Sequence, residues 1–282
     1  MKDTPKYPKI TFSSKGILYT FTEPVAMGIL NVTPDSFYDG SRVESENQLI
    51  DRAGKMIHEG AAILDIGGYS SRPGATDISV QKELDRVLPA VEQIQKKFPG
   101  ILISADTFRS EVAEKAIKAG AAIINDISGG NLDEKMFETV AALQVPYILM
   151  HMRGTPQNMK EFANYNQITD DVCYELKSQI NKAQKAGIKD IILDPGFGFS
   201  KTAEQNFRLL SNLEKIVSLG LPVLAGVSRK SMIYKTLEIT PEESLNGTTA
   251  LNMYALLKGA AILRVHDVKE AKQVITLYNQ TV

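Results

Sequence analysis

Short apolar runs recur along the chain, at residues 25–31, 61–67, 101–106, 121–127, 146–151, 190–194, 222–227 and 261–265. They are rich in Ile, Leu, Val and Ala with little polar alternation, as in strands buried on both faces. Between them lie amphipathic stretches near 45–59, 78–97, 109–119, 133–144, 168–187, 203–219, 229–236 with 241–258, and 268–280. Many end in a glycine just before the next apolar run: Gly60, Gly100, Gly120, Gly187, Gly220 and Gly259. Glycine suits the left-handed residue that closes a helix. The repeat of roughly 30 to 40 residues matches a βα unit, and eight such units predict an α/β fold, a (β/α)8 TIM barrel. An open doubly wound sheet is the alternative. Ahead of the barrel, 9–13 and 17–21 read as an N-terminal β-hairpin around Ser13-Ser14-Lys15-Gly16, placed to plug one end. No linker or composition shift marks a boundary, so residues 1–282 read as a single domain, hairpin about 9–21 and barrel about 25–282.

In such an alternation all strand ends meet on one rim. The exits here are polar: Asn31; Asp65 with Ser71 and Arg72; Asp106; Asn125; Met150-His151; Asp194; Ser228 to Ser231; and Arg264 with His266. Residues more than 230 positions apart would therefore converge on one site. The first exit, GILNVTPDSFYDG, holds Asn31 at the strand end, and Thr33-Pro34-Asp35 forbids an immediate helix. The second, LDIGGYSSRPGA, joins a backbone that a ligand can approach at Gly67-Gly68 to Arg72, a bidentate partner for phosphate or carboxylate. Asp106, Asn125-Asp126 and Asp194 would face one another across the mouth. They suit a divalent metal, or a flat nitrogen heterocycle whose amino and ring N–H groups match carboxylate and amide acceptors. Helix capping is the plainer role for Asp106, which a helix follows. In ILDPGFGFSK, Phe197 and Phe199 could wall an aromatic ligand or simply pack over the barrel end. Lys230 and Ser231 open a helix, where N–H groups attract anions. Arg264 and His266, two residues apart on an extended chain, share a side and suggest a bound phosphate or diphosphate.

Composition narrows the partners. A net charge of -1 gives no global electrostatic case for nucleic acid or membrane. The single Cys173 excludes an intramolecular disulfide, and no Cys/His cluster suggests zinc. No long apolar segment resembles a signal peptide or a membrane span, so a cytoplasmic location is the expectation.

Taken together, GILNVTPDSF, LDIGG-SSRPGA, ADT, INDISGG, LMHMRGTP, DPGFGFSK, SRKSMI, NGTTALN and RVHDV, in this order over about residues 25 to 270, resemble dihydropteroate synthase. The resemblance implies a folate-biosynthesis transferase, a sulfonamide target, that condenses 6-hydroxymethyl-7,8-dihydropterin diphosphate with p-aminobenzoate. It implies a (β/α)8 barrel, a homodimer and Mg2+. By matched position it implies a pterin pocket of Asp106, Asn125, Met150, Asp194, Lys230 and Arg264, with Lys230, Arg264 and Asp106 the catalytic group. Asn31, Arg72, Arg264 and His266 would hold diphosphate, with Mg2+ on the Asn31 side. Phe37, Ser71, Arg72, Pro73, Phe199, Lys230 and Ser231 would form the p-aminobenzoate pocket. Tyr69 and Ser71 depart from the residues commonest in the family, the first often acidic and the second usually threonine. Three other readings compete: a corrinoid-linked pterin methyltransferase, a Schiff-base aldolase using Lys230, and a non-catalytic pterin-binding protein.

Overall fold

The computed structural model describes residues 10–33, 42–71 and 76–281. Two strands, β1 (Ile10–Ser14) and β2 (Ile17–Phe21), form an antiparallel hairpin. Its turn, Lys15-Gly16, has φ of 51° and 81°, the two-residue geometry that matches strand twist. Residue 9, where the pattern starts the first strand, lies outside the described residues.

Eight parallel strands follow: β3 (Val25–Asn31), β4 (Ala61–Gly67), β5 (Leu102–Asp106), β6 (Ile123–Asp126), β7 (Tyr147–Met150), β8 (Ile191–Asp194), β9 (Leu224–Ala225) and β10 (Ile262–Val265). Their order in the sheet is β8-β7-β6-β5-β4-β3-β10-β9. A bridge between Leu193 and Val223 joins the first to the last, with Leu193 N–H donating to Pro222 O at 2.8 Å. The sheet therefore closes into a barrel, and the open-sheet alternative falls. Strand β9 is shorter than the 222–227 run suggests. Pro222 has no N–H to give to a ladder, and only its carbonyl takes part.

Around the barrel lie α1 (Arg42–His58), α2 (Val80–Lys97), α3 (Ser110–Ala119), α4 (Met136–Leu143), α5 (Ile168–Ala186), α6 (Ala203–Ser211), α7 (Leu213–Val217), α8 (Ser231–Tyr234), α9 (Leu245–Leu257) and α10 (Val268–Thr281). Outward strand residues such as Leu64, Ile66, Ile103, Ile124, Leu149 and Leu193 pack against their apolar faces. Helix starts carry expected caps: Ser79 accepts from Lys82 N–H, and Thr202 with Gln205 forms a capping box.

The barrel interior is layered. Met27, Ile63, Leu102, Ile123, Ile148, Ile192, Leu224 and Ile262 form one buried cluster with Ile10 and Phe12 of the hairpin. Ser13 N–H donates to Asp190 Oδ2 at 2.9 Å, and Ser14 Oγ–H to Ala122 O at 2.7 Å. These partners precede β8 and β6, so the hairpin plugs the end where the strands begin. Side chains alternate along a strand, so the next inward residue lies two positions on. There the layer changes character: only Ile29 stays aliphatic, and the others are Asp65, Ser104, Asn125, Met150, Asp194, Gly226 and Arg264.

Candidate active site

Six side chains predicted at strand exits line one pocket: Asp106, Asn125, Met150, Asp194, Lys230 and Arg264. Ser71, Ile127, Gly196, Phe197, Phe199 and Gly226 complete it. All come from the ends of the strands or the loops beyond. Phe37, Arg72 and Pro73, like Asp35, lie outside the described residues.

The floor is an ionic network. Arg264 Nε donates to Asp65 Oδ2 at 2.6 Å, and Nη2 to Asp106 Oδ2 at 2.6 Å. Asn125 Nδ2–H donates to Asp65 Oδ2 at 3.0 Å. The Asp65 side chain is fully buried. Asp65 was named as a strand exit but given no role; it is the anchor that orients Arg264. A charged residue inside an apolar strand was the signal. Burial would lower Arg264, but the charges of Asp65 and Asp106 outweigh it and raise its pKa. Burial raises the Asp106 carboxyl, with Arg264 opposing. Breaking such a buried network strands a charge and costs about 3–5 kcal/mol.

Helix capping does not explain Asp106. Helix α3 starts at Ser110, and its N–H is met by Asp133 Oδ2 at 2.7 Å. Asp126 does not converge on the mouth as expected. It is the neighbour of an inward residue and so points away, accepting from Ser128 and Gly130 N–H and from Tyr147 Oη–H. Its work is to hold the loop after β6.

Asp194 faces the pocket from β8. Its Oδ1 accepts the Gly196 N–H at 2.7 Å, and burial raises its pKa. Glycine is required at 196: its φ is 69°, and a Cβ there would lie 2.0 Å from His151 O. Lys230 Nζ stands 4.1 Å from the centre of the Phe199 ring, a cation–π contact. Burial lowers Lys230 to about 8, with Asp194 opposing. A Cβ on Gly198 would come within 2.9 Å of the Lys230 stem, so that glycine gives Lys230 its path. Phe197 is wholly buried and belongs both to the core and to the pocket wall.

Lys230 is the N-cap of α8, yet α8 has only four residues. The expected anion site at a helix start is correspondingly weak, because a short helix has a small dipole. Ser231 opens α8, is partly exposed and does not line the pocket. His266 hydrogen-bonds through Nδ1 to Ser228 Oγ at 3.0 Å, while Ser228 Oγ accepts from the His266 backbone N–H. When the Ser228 hydroxyl donates to Nδ1, the ring proton of neutral His266 is on Nε2. Burial lowers His266 to about 4. The Arg264/His266 pair expected at an anion is therefore one cation and one neutral imidazole. Asn31 lies at the rim, its Oδ1 3.6 Å from where a Cβ on Gly67 would stand, near Asp106.

Among the described residues no cluster of three His, Cys, Asp or Glu side chains could hold a metal. A lone amide oxygen such as Asn31 Oδ1 fits Mg2+ only if water and a polyphosphate supply most of the shell, which is the ion's ordinary preference.

Tyr69 packs edge-on against Phe108, with ring centres 5.0 Å apart, and its hydroxyl accepts from Gln157 Nε2–H at 2.8 Å. Arg109 joins Glu83, Asp77 and the Ile78 carbonyl. The departure at Tyr69 thus ties the loop after β4 to the loop after β7.

The sequence pattern of the pterin binding enzymes matches residues 27–266. The dihydropteroate synthase of Escherichia coli K12 is 42% identical over 271 residues, covering 95% of each chain. The folic acid synthesis protein fol1 of Pneumocystis carinii is 47% identical over 271 residues, 92% of this chain but 36% of that one. The chain thus spans about a third of the fungal relatives and nearly all of the bacterial one. A Xanthomonas albilineans dihydropteroate synthase solved with 4-aminobenzoic acid superposes with a TM-score of 0.90 at 38% identity, over 98% of this chain and 100% of that one.

Proposed function

The chain belongs to the dihydropteroate synthases of the pterin binding enzyme family, transferases of folate biosynthesis, and we propose that it joins p-aminobenzoate to 6-hydroxymethyl-7,8-dihydropterin diphosphate. The products are 7,8-dihydropteroate and diphosphate. One observation carries the reading: acceptors, two cations and apolar walls suited to a pterin line a single pocket at the strand ends.

In this reading Asp194 takes the two N–H groups of the aminopyrimidine edge, a pairing that rejects rings lacking those donors. Asn125 and Asp106 meet the remaining ring nitrogens, and Lys230 the ring carbonyl. Met150 packs on one ring face and Arg264 on the other. Arg264 spends Nε and Nη2 on carboxylates, so its outer edge serves the diphosphate. Neutral His266 adds an Nε2–H donor. Arg72 and Asn31 complete the anion site. Mg2+, when bound with diphosphate beside Asn31 Oδ1, would neutralise charge on the leaving group.

The carbon–oxygen bond at the exocyclic methylene breaks, and its electron pair leaves with diphosphate. Positive charge spreads into the pterin, where the buried carboxylates stabilise it. The aniline nitrogen donates its lone pair to the methylene and then releases a proton to water. No covalent enzyme intermediate forms, and Lys230 acts as a binding group, not a nucleophile. Phe37, Ser71, Arg72, Pro73, Phe199, Lys230 and Ser231 form the p-aminobenzoate pocket.

We also place the protein in the cytoplasm as a single-domain homodimer. No helix among the described residues is long and apolar enough to cross a membrane. Tyr254 and Leu257 on α9 and Leu277 on α10 are exposed and offer apolar area for pairing; light scattering reads the mass. The activity test is diphosphate release that depends on p-aminobenzoate, with and without Mg2+. Release only when both substrates are present supports the reading. Methyl transfer without release, or trapping of a carbonyl at Lys230 by borohydride, overturns it.

A further inference from the structure

Next to the pocket, and unused by the reaction above, lies a second lysine, half-buried as a residue but with its ammonium enclosed. Lys201 closes the loop after β8. Its Nζ is 3.0 Å from Gly196 O, 3.0 Å from Phe199 O and 2.9 Å from His151 Nδ1; His151 O is farther, at 3.4 Å. These partners are all neutral. His151 Nε2 is 3.1 Å from Glu175 Oε2, and a carboxylate only accepts, so the imidazole proton sits on Nε2. Nδ1 therefore offers a lone pair to Lys201. Three ammonium protons meet three acceptors.

Two of those acceptors belong to residues that shape the pocket. Gly196 gives its N–H to Asp194 Oδ1, and the Phe199 ring lies against Lys230. Gly196, Gly198 and Ser200 all have positive φ, at 69°, 82° and 47°; the two glycines adopt it freely, and Ser200 alone carries strain that a tie can hold. A buried charge with no carboxylate in direct contact is costly, and a merely structural tie could be made by a neutral donor.

We propose that Lys201 is a positioning residue, whose ammonium clamps the carbonyls of Gly196 and Phe199 and so holds Asp194 and the Phe199 wall in their binding geometry. The clamp needs three protons. A neutral amine has two, so deprotonation leaves one acceptor without its donor. The charges facing Lys201 are Asp194 from β8, Lys230 at the start of α8, Glu175 on α5 and Arg153 after β7. His151 is neutral, lowered by burial to about 4. Burial, with Asp194 opposing, lowers Lys201 to about 7.

The inference rests on the pterin site described above. The test is calorimetric binding of 6-hydroxymethyl-7,8-dihydropterin, which carries no titrating diphosphate, to the full chain between about pH 6 and 9. Wild type, K201M and D194N are compared. At pH 6, K201M should bind about tenfold more weakly than wild type, the scale of one charge-assisted hydrogen bond. That gap should narrow as the pH rises through about 7 and wild type loses its third proton. The narrowing separates Lys201 from Lys230, which both proteins retain. A gap that is absent, or constant at every pH, overturns the proposal. D194N that binds like wild type would instead sink the pterin site itself. Should K201M fail to fold, K201Q, which keeps two N–H donors, carries the same comparison.

Discussion

The two ends of this barrel are built from the same strands, two residues apart. At the hairpin end Ile63, Ile123, Ile192 and Ile262 meet Phe12 in a dry layer. At the other end their inward successors are Asp65, Asn125, Asp194 and Arg264. The first layer holds the barrel shut, and the second spends stability on a site. The difference shows how a period of two lets one strand carry both jobs without mixing them. It also implies that the two layers fail differently when cut.

Four experiments break or sharpen that contrast. The largest effect is expected from R264M, which strands Asp65 and Asp106 in the floor. Stability should fall by about 3–5 kcal/mol, and turnover by about a hundred- to thousandfold, read from urea unfolding and diphosphate release. Loss of turnover with full stability would show that the floor is not an energetic unit. F12A removes the plug. It should cost about 3–5 kcal/mol in unfolding, yet leave both KM values unchanged at a temperature where the protein stays folded. A raised KM would mean the two ends are mechanically coupled. D194N should weaken pterin diphosphate binding by more than about tenfold, roughly 1.4 kcal/mol, with little change in stability. Calorimetry decides, and unchanged binding removes Asp194 from the site.

The smallest effect is a slope with pH. Lys230 is lowered to about 8 in the folded chain from an ordinary 10.5. Between those values the unfolded chain holds the proton more tightly, so stability rises with pH. The burial penalty is full below about 8 and relieved towards 10.5. K230M should remove at most about 1.4 kcal/mol per pH unit of that rise, measured as urea midpoints on either side of pH 8. Pterin diphosphate binding by wild type should weaken over the same window, as the charge is lost. A slope that survives K230M would assign the titration elsewhere.

The dry layer and the strand count were legible because apolar runs and helix-closing glycines are local signals. Asp106 and Asp194 were legible because they end strands, and Asn125 and Arg264 because they stand one residue before an end. Asp65 was passed over because it lies inside β4, two residues before the strand stops, where only closure of the barrel brings it under Arg264. His151 was named at a strand exit, but its pairing with Lys201 was missed because it depends on a positive-φ loop that folds back 50 residues on. Asp126 was misjudged because convergence at a rim was read without the alternation that turns neighbours apart.

The upper layer contains one position with no side chain, Gly226. A Cβ on Gly226 would meet nothing nearer than 3.9 Å, and Gly226 borders the pocket. A flat ring entering there occupies the volume that a core side chain would fill elsewhere in the barrel. On the proposed reading the substrate would act as the missing piece of the protein's own interior, supplied from outside. Ligand at about a hundred times its Kd would stabilise the fold by roughly 2.7 kcal/mol. The enzyme's lifetime in the cell would thus track the supply of its substrate: a starved chain opens more often, and a fed one resists unfolding.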